Sequence, residues 1–184
     1  MIRLDHVSMA FGEKQVFKDL SLAFSTTGQY AVLGLSGRGK TTLLRLIAGL
    51  ERPQRGKVTL PKDARIAYCF QEDRLLPFRT VLDNVALVCG DTAAAKRWLE
   101  RVGLSGEENS YPASLSGGMK RRAALARALA FDAPILLMDE PFRALDSDTH
   151  AAMLALVREA AKDKLLILVT HDEADAEGMQ IIRL

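Results

Sequence analysis

The sequence predicts an α/β fold with a mostly parallel sheet and an inserted helical subdomain, and three observations point that way. Apolar stretches at Ile2 to Ser8, Val16 to Phe24 and Tyr30 to Leu33 lead into a glycine-rich loop and then an apolar helix. Residues 72 to 130 are helical by composition and spacing, with little β-branched material. Ile135 to Met138 and Leu165 to Val169 are short, fully apolar runs separated by a helical segment, the order that implies parallel pairing.

Along the chain, the helix after the loop carries Leu43, Leu44, Leu46, Ile47 and Leu50 and ends before Pro53. Gly56 to Leu60 and Arg65 to Phe70 read as two further strands about a turn at Pro61-Lys62-Asp63. Helices are expected at Val81 to Val88, Ala93 to Val102 and Leu115 to Phe131. Another begins near Ser147 with Met153, Leu156, Val157 and Ala160 on one face. No internal repeat or low-complexity linker interrupts this layout.

At 184 residues with 48% hydrophobic side chains, the chain is sized for one domain with a substantial core. Its 25 basic and 23 acidic residues leave a formal charge of +2, which gives no electrostatic case for nucleic acid or an anionic membrane surface. The one dense basic run, Lys120-Arg121-Arg122, reads as a solvated helix face. Cys69 and Cys89 lack the paired spacing of a zinc or redox motif, so both read as small core residues in a reduced compartment, without a disulfide. Charge at Arg3 and Asp5 argues against a secretory signal, and the apolar runs are too short to cross a bilayer, so a membrane role is expected only through a partner.

Gly34-Leu35-Ser36-Gly37-Arg38-Gly39-Lys40-Thr41 fits G-x-x-x-x-G-K-[ST], with Thr42 following. The glycines let successive backbone N–H groups curl around phosphates, Lys40 reaches the β- and γ-phosphates, and the Thr41 hydroxyl suits Mg²⁺. The following helix aims its positive dipole end at the same anion. Asp139 and Glu140 end the apolar run from Ile135, at the strand edge where open α/β sheets bind ligands. There Asp139 is expected to hold the metal through water and Glu140 to polarise an attacking water. Leu115-Ser116-Gly117-Gly118-Met119 opens a helix that can offer a hydroxyl, backbone N–H groups and a dipole to a γ-phosphate.

With that last segment in place the chain resembles the ABC ATPase family, over nearly its whole length from about Ile2 to Leu184. The resemblance implies a P-loop NTPase core with a mostly parallel sheet, an N-terminal antiparallel β part and an inserted helical subdomain. Residues 1–71 and 131–184 form the core and 72–130 the subdomain. It also implies ATP and Mg²⁺ as ligands. Gln71 corresponds to the glutamine that contacts Mg²⁺ and the attacking water, and His171, in Thr170-His171-Asp172, to the histidine that touches the γ-phosphate. Asp146, in Ala144-Leu145-Asp146, corresponds to the loop that crosses a dimer interface, and Phe11 to the aromatic ring that stacks on adenine. Asp146 also reads as a simple helix cap, and Phe11 as a core residue.

Gln71 to Phe78, followed by Thr80 to Val85, is similar to the importer ATPases of the nitrate, sulfonate and taurine group, as is Met119 where Gln is commoner. The partners implied are a second copy in a head-to-tail dimer, a membrane permease and an extracytoplasmic binding protein, with the chain peripheral on the cytoplasmic face. Residues 72 to 90, with the apolar tip Leu75-Leu76-Pro77-Phe78, are expected to receive the permease. The alternative is a soluble ABC-type ATPase acting on DNA or ribosomes, although the long coiled-coil insertion or tandem cassettes usual there are missing. Arg143 and Arg38 depart from the small residues usual at their positions. The chain also stops soon after His171, which predicts a minimal cassette more dependent than most on partners.

Overall fold

A computed structural model describes residues 1–184. Strands β1 (Ile2–Phe11) and β2 (Lys14–Phe24) form an antiparallel hairpin whose two-residue turn, Gly12-Glu13, sets Phe11 directly opposite Lys14. A third strand, β4 (Arg55–Thr59), pairs antiparallel with the free side of β1. The main sheet is parallel throughout. It comprises β3 (Gly28–Leu33), β5 (Ile66–Cys69), β6 (Ile135–Asp139), β7 (Leu165–Val169) and β8 (Gln180–Arg183), in the order β5-β6-β7-β3-β8.

Every residue of β6 and β7 is buried, as continuous apolar runs in a two-sided sheet require. The two-residue alternation of strand side chains then divides the core. Ile135, Leu137, Leu165 and Ile167 face the antiparallel sheet and helix α1 (Lys40–Ile47), which buries Leu43, Leu44, Leu46 and Ile47. Leu136, Met138, Leu166 and Leu168 face the other way, toward helices α2 (Val81–Cys89), α3 (Thr92–Arg101), α4 (Gly117–Ala130) and α5 (Ser147–Ala160).

The inserted helices do not build a core of their own: Val85, Leu99, Leu125 and Leu129 pack in the same cluster as Leu136 and Leu166. Cys69 is buried in that cluster and Cys89 half-buried beside it, both as free thiols. Leu50, expected on the first helix, lies beyond its end and is exposed, because Ala48 already closes the last turn. Strand β8 has no counterpart in the sequence reading. Its order comes from parallel pairing with Tyr30 to Leu33, and only Ile181 and Ile182 among its four residues are apolar.

A further expectation is overturned. Lys120-Arg121-Arg122 is not a solvated face, because Arg121 is 3% exposed and points into the junction of β5 and β6. Arg122 is also engaged, donating to the carbonyls of Val102 and Gly103 at the end of α3. No helix is long and apolar enough to cross a membrane.

Candidate active site

Parallel pairing brings the carboxyl ends of β3, β5, β6 and β7 to one edge of the sheet, and each is followed by one of the segments singled out above. Ser36, Gly37, Gly39, Lys40, Thr41, Thr42, Gln71, Glu140 and His171 therefore line a single open cavity of about 260 Å³, which Phe11 joins from the end of β1 in the antiparallel sheet. Lys14 and Val16 line it too, and neither was anticipated. Lys14 had a faint signal, since the tight turn after Phe11 must place it across from that ring.

The loop from β3 to α1 passes through left-handed backbone at Gly39, φ 97°, where a Cβ would lie 2.5 Å from Val16 Cγ1 and 2.8 Å from Phe17 Cζ. Only glycine fits there. Gly39 caps α1 without a side-chain hydrogen bond and the first turn holds no acid, whereas Thr80, Ser116 and Asp146 cap α2, α4 and α5 with their side chains. The backbone N–H groups opening α1 are thus free of internal acceptors, the arrangement that suits an anion. Lys40, nearly buried, donates from Nζ to the carbonyls of Gly34 at 2.7 Å and Leu35 at 3.2 Å, which closes the loop on itself. The side chains of Leu35 and Arg38 turn outward into a neighbouring depression shared with Glu173 and Arg183. Phe11, 48% exposed at the end of β1, stands at the cavity mouth and not in the core.

Glu140 is the first residue beyond β6 and takes a left-handed φ of 48°, a costly conformation for a side chain with a Cβ. Its N–H is fixed by the Val169 carbonyl at 3.0 Å. The carboxylate is gripped on both sides: Oε1 lies 2.5 Å from His171 Nε2, and Oε2 accepts from Gln71 Nε2 at 3.2 Å. His171 is itself set by a loop that side-chain hydrogen bonds tie together. The neighbouring Thr170 hydroxyl donates to Asp175 Oδ2 at 2.6 Å, and Oδ1 of that buried carboxylate meets His150 Nε2 of α5 at 2.6 Å. His150 and Asp175 left no sequence signal, because their pairing depends on how α5 crosses the sheet.

Asp139 is 1% exposed, and burial, joined by the neighbouring Glu140 charge, pushes its carboxyl up from the ordinary range; the Thr41 hydroxyl, Arg45 and Arg121 oppose the shift. Its Oδ1 is buried without a hydrogen-bond partner. A lone buried carboxylate oxygen next to a threonine hydroxyl is an oxygen donor set that the hydrated shell of a hard divalent cation such as Mg²⁺ would fit. Behind it, burial also pushes the Tyr68 phenol up, with the Asp139 charge adding to the shift.

Leu115 to Met119 and Asp146 do not line this cavity. Leu115 anchors in the core, Ser116 accepts from the Met119 N–H at 3.3 Å as the cap of α4, and Gly117 is exposed. Asp146 caps α5 by accepting from the Thr149 N–H at 3.0 Å, and that bond, with the Thr149 hydroxyl, lowers its pKa. The two segments are neighbours: a Cβ on Gly118 would sit 3.7 Å from Leu145 Cδ2 and 3.8 Å from the Ala144 carbonyl. Arg143 is exposed beside them.

Residues 17–143 match the family model described as ABC transporter. The chain is 43% identical to the aliphatic sulfonates import ATP-binding protein SsuB 2 of Pseudomonas aeruginosa (strain UCBPP-PA14), covering 95% of this chain and 68% of that protein. It is 45% identical to the aliphatic sulfonates import ATP-binding protein SsuB of Delftia acidovorans, covering 93% and 73%. Among solved structures, the ATP-binding cassette MJ0796, described as a dimer in a post-hydrolysis state bound to ADP and Pi, superposes with a TM-score of 0.92 at 30% identity, covering 100% of this chain and 94% of that one. With these likenesses added to the four strand-end segments and the sheet that gathers them, the chain belongs to the ABC transporter family.

Proposed function

We propose that this chain is an ATP-hydrolysing subunit of an ABC importer, with cargo in the class of aliphatic sulfonates that the similar import proteins are named for. The observation that carries the hydrolytic reading is Glu140, held between His171 and Gln71 at the mouth of the Lys40 loop. The triphosphate lies along the Gly34–Thr41 loop, with Lys40 exchanging its loop carbonyls for the β- and γ-phosphates and the opening N–H groups of α1 facing the same charge. Phe11 stacks on the adenine.

Thr41, Gln71 and Asp139 would hold Mg²⁺, which would supply charge neutralisation on the β- and γ-phosphates. Glu140 aligns a water and draws on its proton as the water oxygen attacks the γ-phosphorus and the bond to the β-phosphate oxygen breaks. His171 touches the γ-phosphate and holds the carboxylate at the same time.

A second copy completes the site. The Ser116-Gly117-Gly118 segment, exposed at Ser116 and Gly117 and with Ala144 to Asp146 beside it, caps the nucleotide of a head-to-tail partner, and the description of MJ0796 as a dimer supports the pairing of two copies. Residues 72 to 90 receive the permease at the cytoplasmic face: within this stretch Phe78 is 91% exposed, and Leu76 and Leu87 are exposed too. A binding protein outside the membrane delivers the cargo. The names of the similar proteins do not favour a soluble ATPase acting on DNA or ribosomes.

Mixing two inactive variants tests the shared site. Lys40→Ala and Ser116→Glu each abolish hydrolysis alone, whereas a mixed dimer has one site with both Lys40 and Ser116 intact. Recovery of ATPase activity on mixing is expected. A mixture as inactive as its parts refutes completion by a second chain.

A further inference from the structure

The guanidinium of Arg121 makes six contacts that no phosphate, metal or substrate role accounts for. Arg121 lies one turn into α4, five residues after Ser116, and is 3% exposed. Its Nε donates to the Pro141 carbonyl at 2.9 Å, and Nη2 donates to the carbonyls of Asp139 at 3.0 Å and Glu140 at 2.7 Å. On the other side Nη1 reaches the carbonyls of Phe70 at 2.7 Å and Gln71 at 3.2 Å, and Asp73 Oδ1 at 3.3 Å. All five N–H donors of the fork are thereby engaged, the condition under which a buried guanidinium is tolerated.

The placement of these acceptors matters more than their number. Five are backbone carbonyls, and they come from the ends of two neighbouring strands, β5 and β6. Two belong to Gln71 and Glu140 themselves, the pair whose side chains meet in the cavity. The shorter bond to Glu140 pins the residue whose backbone is held at φ 48°. A planar fork spans both strand ends at once, whereas a lysine ammonium presents its three donors from a single atom.

We infer that Arg121 is a positioning residue for hydrolysis: it fixes the spacing of Gln71 and Glu140 and ties both to the start of the helix that Ser116 caps. A displacement at the Ser116 end of α4 is carried through this side chain to the water-holding pair. The inference rests on the hydrolytic reading above.

Arg121→Lys and Arg121→Ala test it. Hydrolysis is followed over a range of ATP concentrations in the purified protein, and kcat is expressed per site titrated with a fluorescent ATP analogue. A misplacement of order 1 Å at the water predicts a fall in kcat per site of about 10- to 100-fold, with KM and analogue affinity within about twofold of the parent. If Arg121→Ala does not fold, Arg121→Lys decides alone. Unchanged kcat per site in Arg121→Lys, or a loss confined to the number of titratable sites, overturns the inference and leaves Arg121 as a support of the fold. A parent protein that binds the analogue without hydrolysing ATP overturns the hydrolytic reading instead.

Discussion

Replacing Glu140 by Gln exchanges one oxygen for an NH₂ group and removes one charge, so its effect isolates what the carboxylate does chemically. Both contacts survive the change. The amide oxygen can take the place of Oε2 and accept from Gln71 Nε2, now at 3.2 Å, while the NH₂ that replaces Oε1 keeps the contact with His171 Nε2, now at 2.5 Å, by donating to it once the ring carries its proton on Nδ1. The backbone anchor from the Glu140 N–H to Val169 is untouched. What disappears is the proton acceptor. A positioned general base contributes about 10²- to 10⁴-fold to rate, or about 3–5 kcal/mol of barrier. Phosphate release at saturating ATP should therefore slow by about that factor, while nucleotide affinity, which depends on the Lys40 loop, moves less than about threefold. Stopped-flow phosphate release and equilibrium titration with an ATP analogue separate the two quantities, and gel filtration with ATP should show the variant held as a dimer. A rate within about threefold of the parent would refute the base assignment, and a parallel loss of affinity would make Glu140 a binding residue instead.

Four further outcomes follow from other parts of the structure. Lys40→Ala removes a charge-assisted contact worth about 1.5–3 kcal/mol, so calorimetric titration should show nucleotide binding weakened by about 10- to 100-fold. Phe11→Ala, at a ring that is exposed and contributes nothing to the core, should weaken ATP binding by about 3- to 10-fold and leave the melting temperature unchanged. Gly56→Ala places a methyl carbon 2.3 Å from the carbonyl oxygens of Asp5 and His6 at φ +79°, and backbone cannot yield as a side chain can. A loss of about 3 kcal/mol, or about 6–12 °C in a thermal melt, is expected. Asp132 meets Lys164 Nζ at 2.6 Å, and that hydrogen bond and charge lower its pKa. A depressed carboxyl stabilises the fold above its unfolded pKa of about 3.9, and the contribution is lost as pH falls through the folded value. Because the Asp132 side chain is 82% exposed, denaturant titrations should show Asp132→Asn less stable than the parent by at most about 1 kcal/mol at neutral pH, with the gap closing in acid.

The segments that could be read from the sequence are those whose chemistry is local. A loop that cradles phosphate must supply its glycines, Lys40 and Thr41 within a few residues, and an acid delivered by a buried strand must follow an apolar run, as Asp139 and Glu140 follow Ile135. Parallelism does the rest. Once β3, β5, β6 and β7 lie side by side in one direction, the loop, Gln71, Glu140 and His171 must share an edge, although 137 residues separate Gly34 from His171. Residues whose roles arise from register or crossing were faint in the sequence or absent from it. Lys14 enters the cavity because a two-residue turn sets it across from Phe11, His150 meets Asp175 because of the path of α5, and β8 is ordered by the edge of β3.

Arg121 shows why a residue-type reading fails most where partners are backbone. Successive helix positions are rotated by about 100°, so three consecutive basic residues cannot share one face, and at least one of them must point away from the other two. Which one turns inward depends on the phase of α4 against the sheet, and Leu125 and Leu129, one and two turns beyond Arg121, set that phase by their burial in the core. The apolar pattern of the helix thus already aimed position 121 inward. The acceptors waiting there are carbonyls of Phe70, Gln71, Asp139, Glu140 and Pro141, groups that every residue possesses and no sequence displays. Helical phase read together with charge would have marked a buried arginine, and a buried arginine without several nearby acids implies a strand end or loop whose carbonyls it gathers.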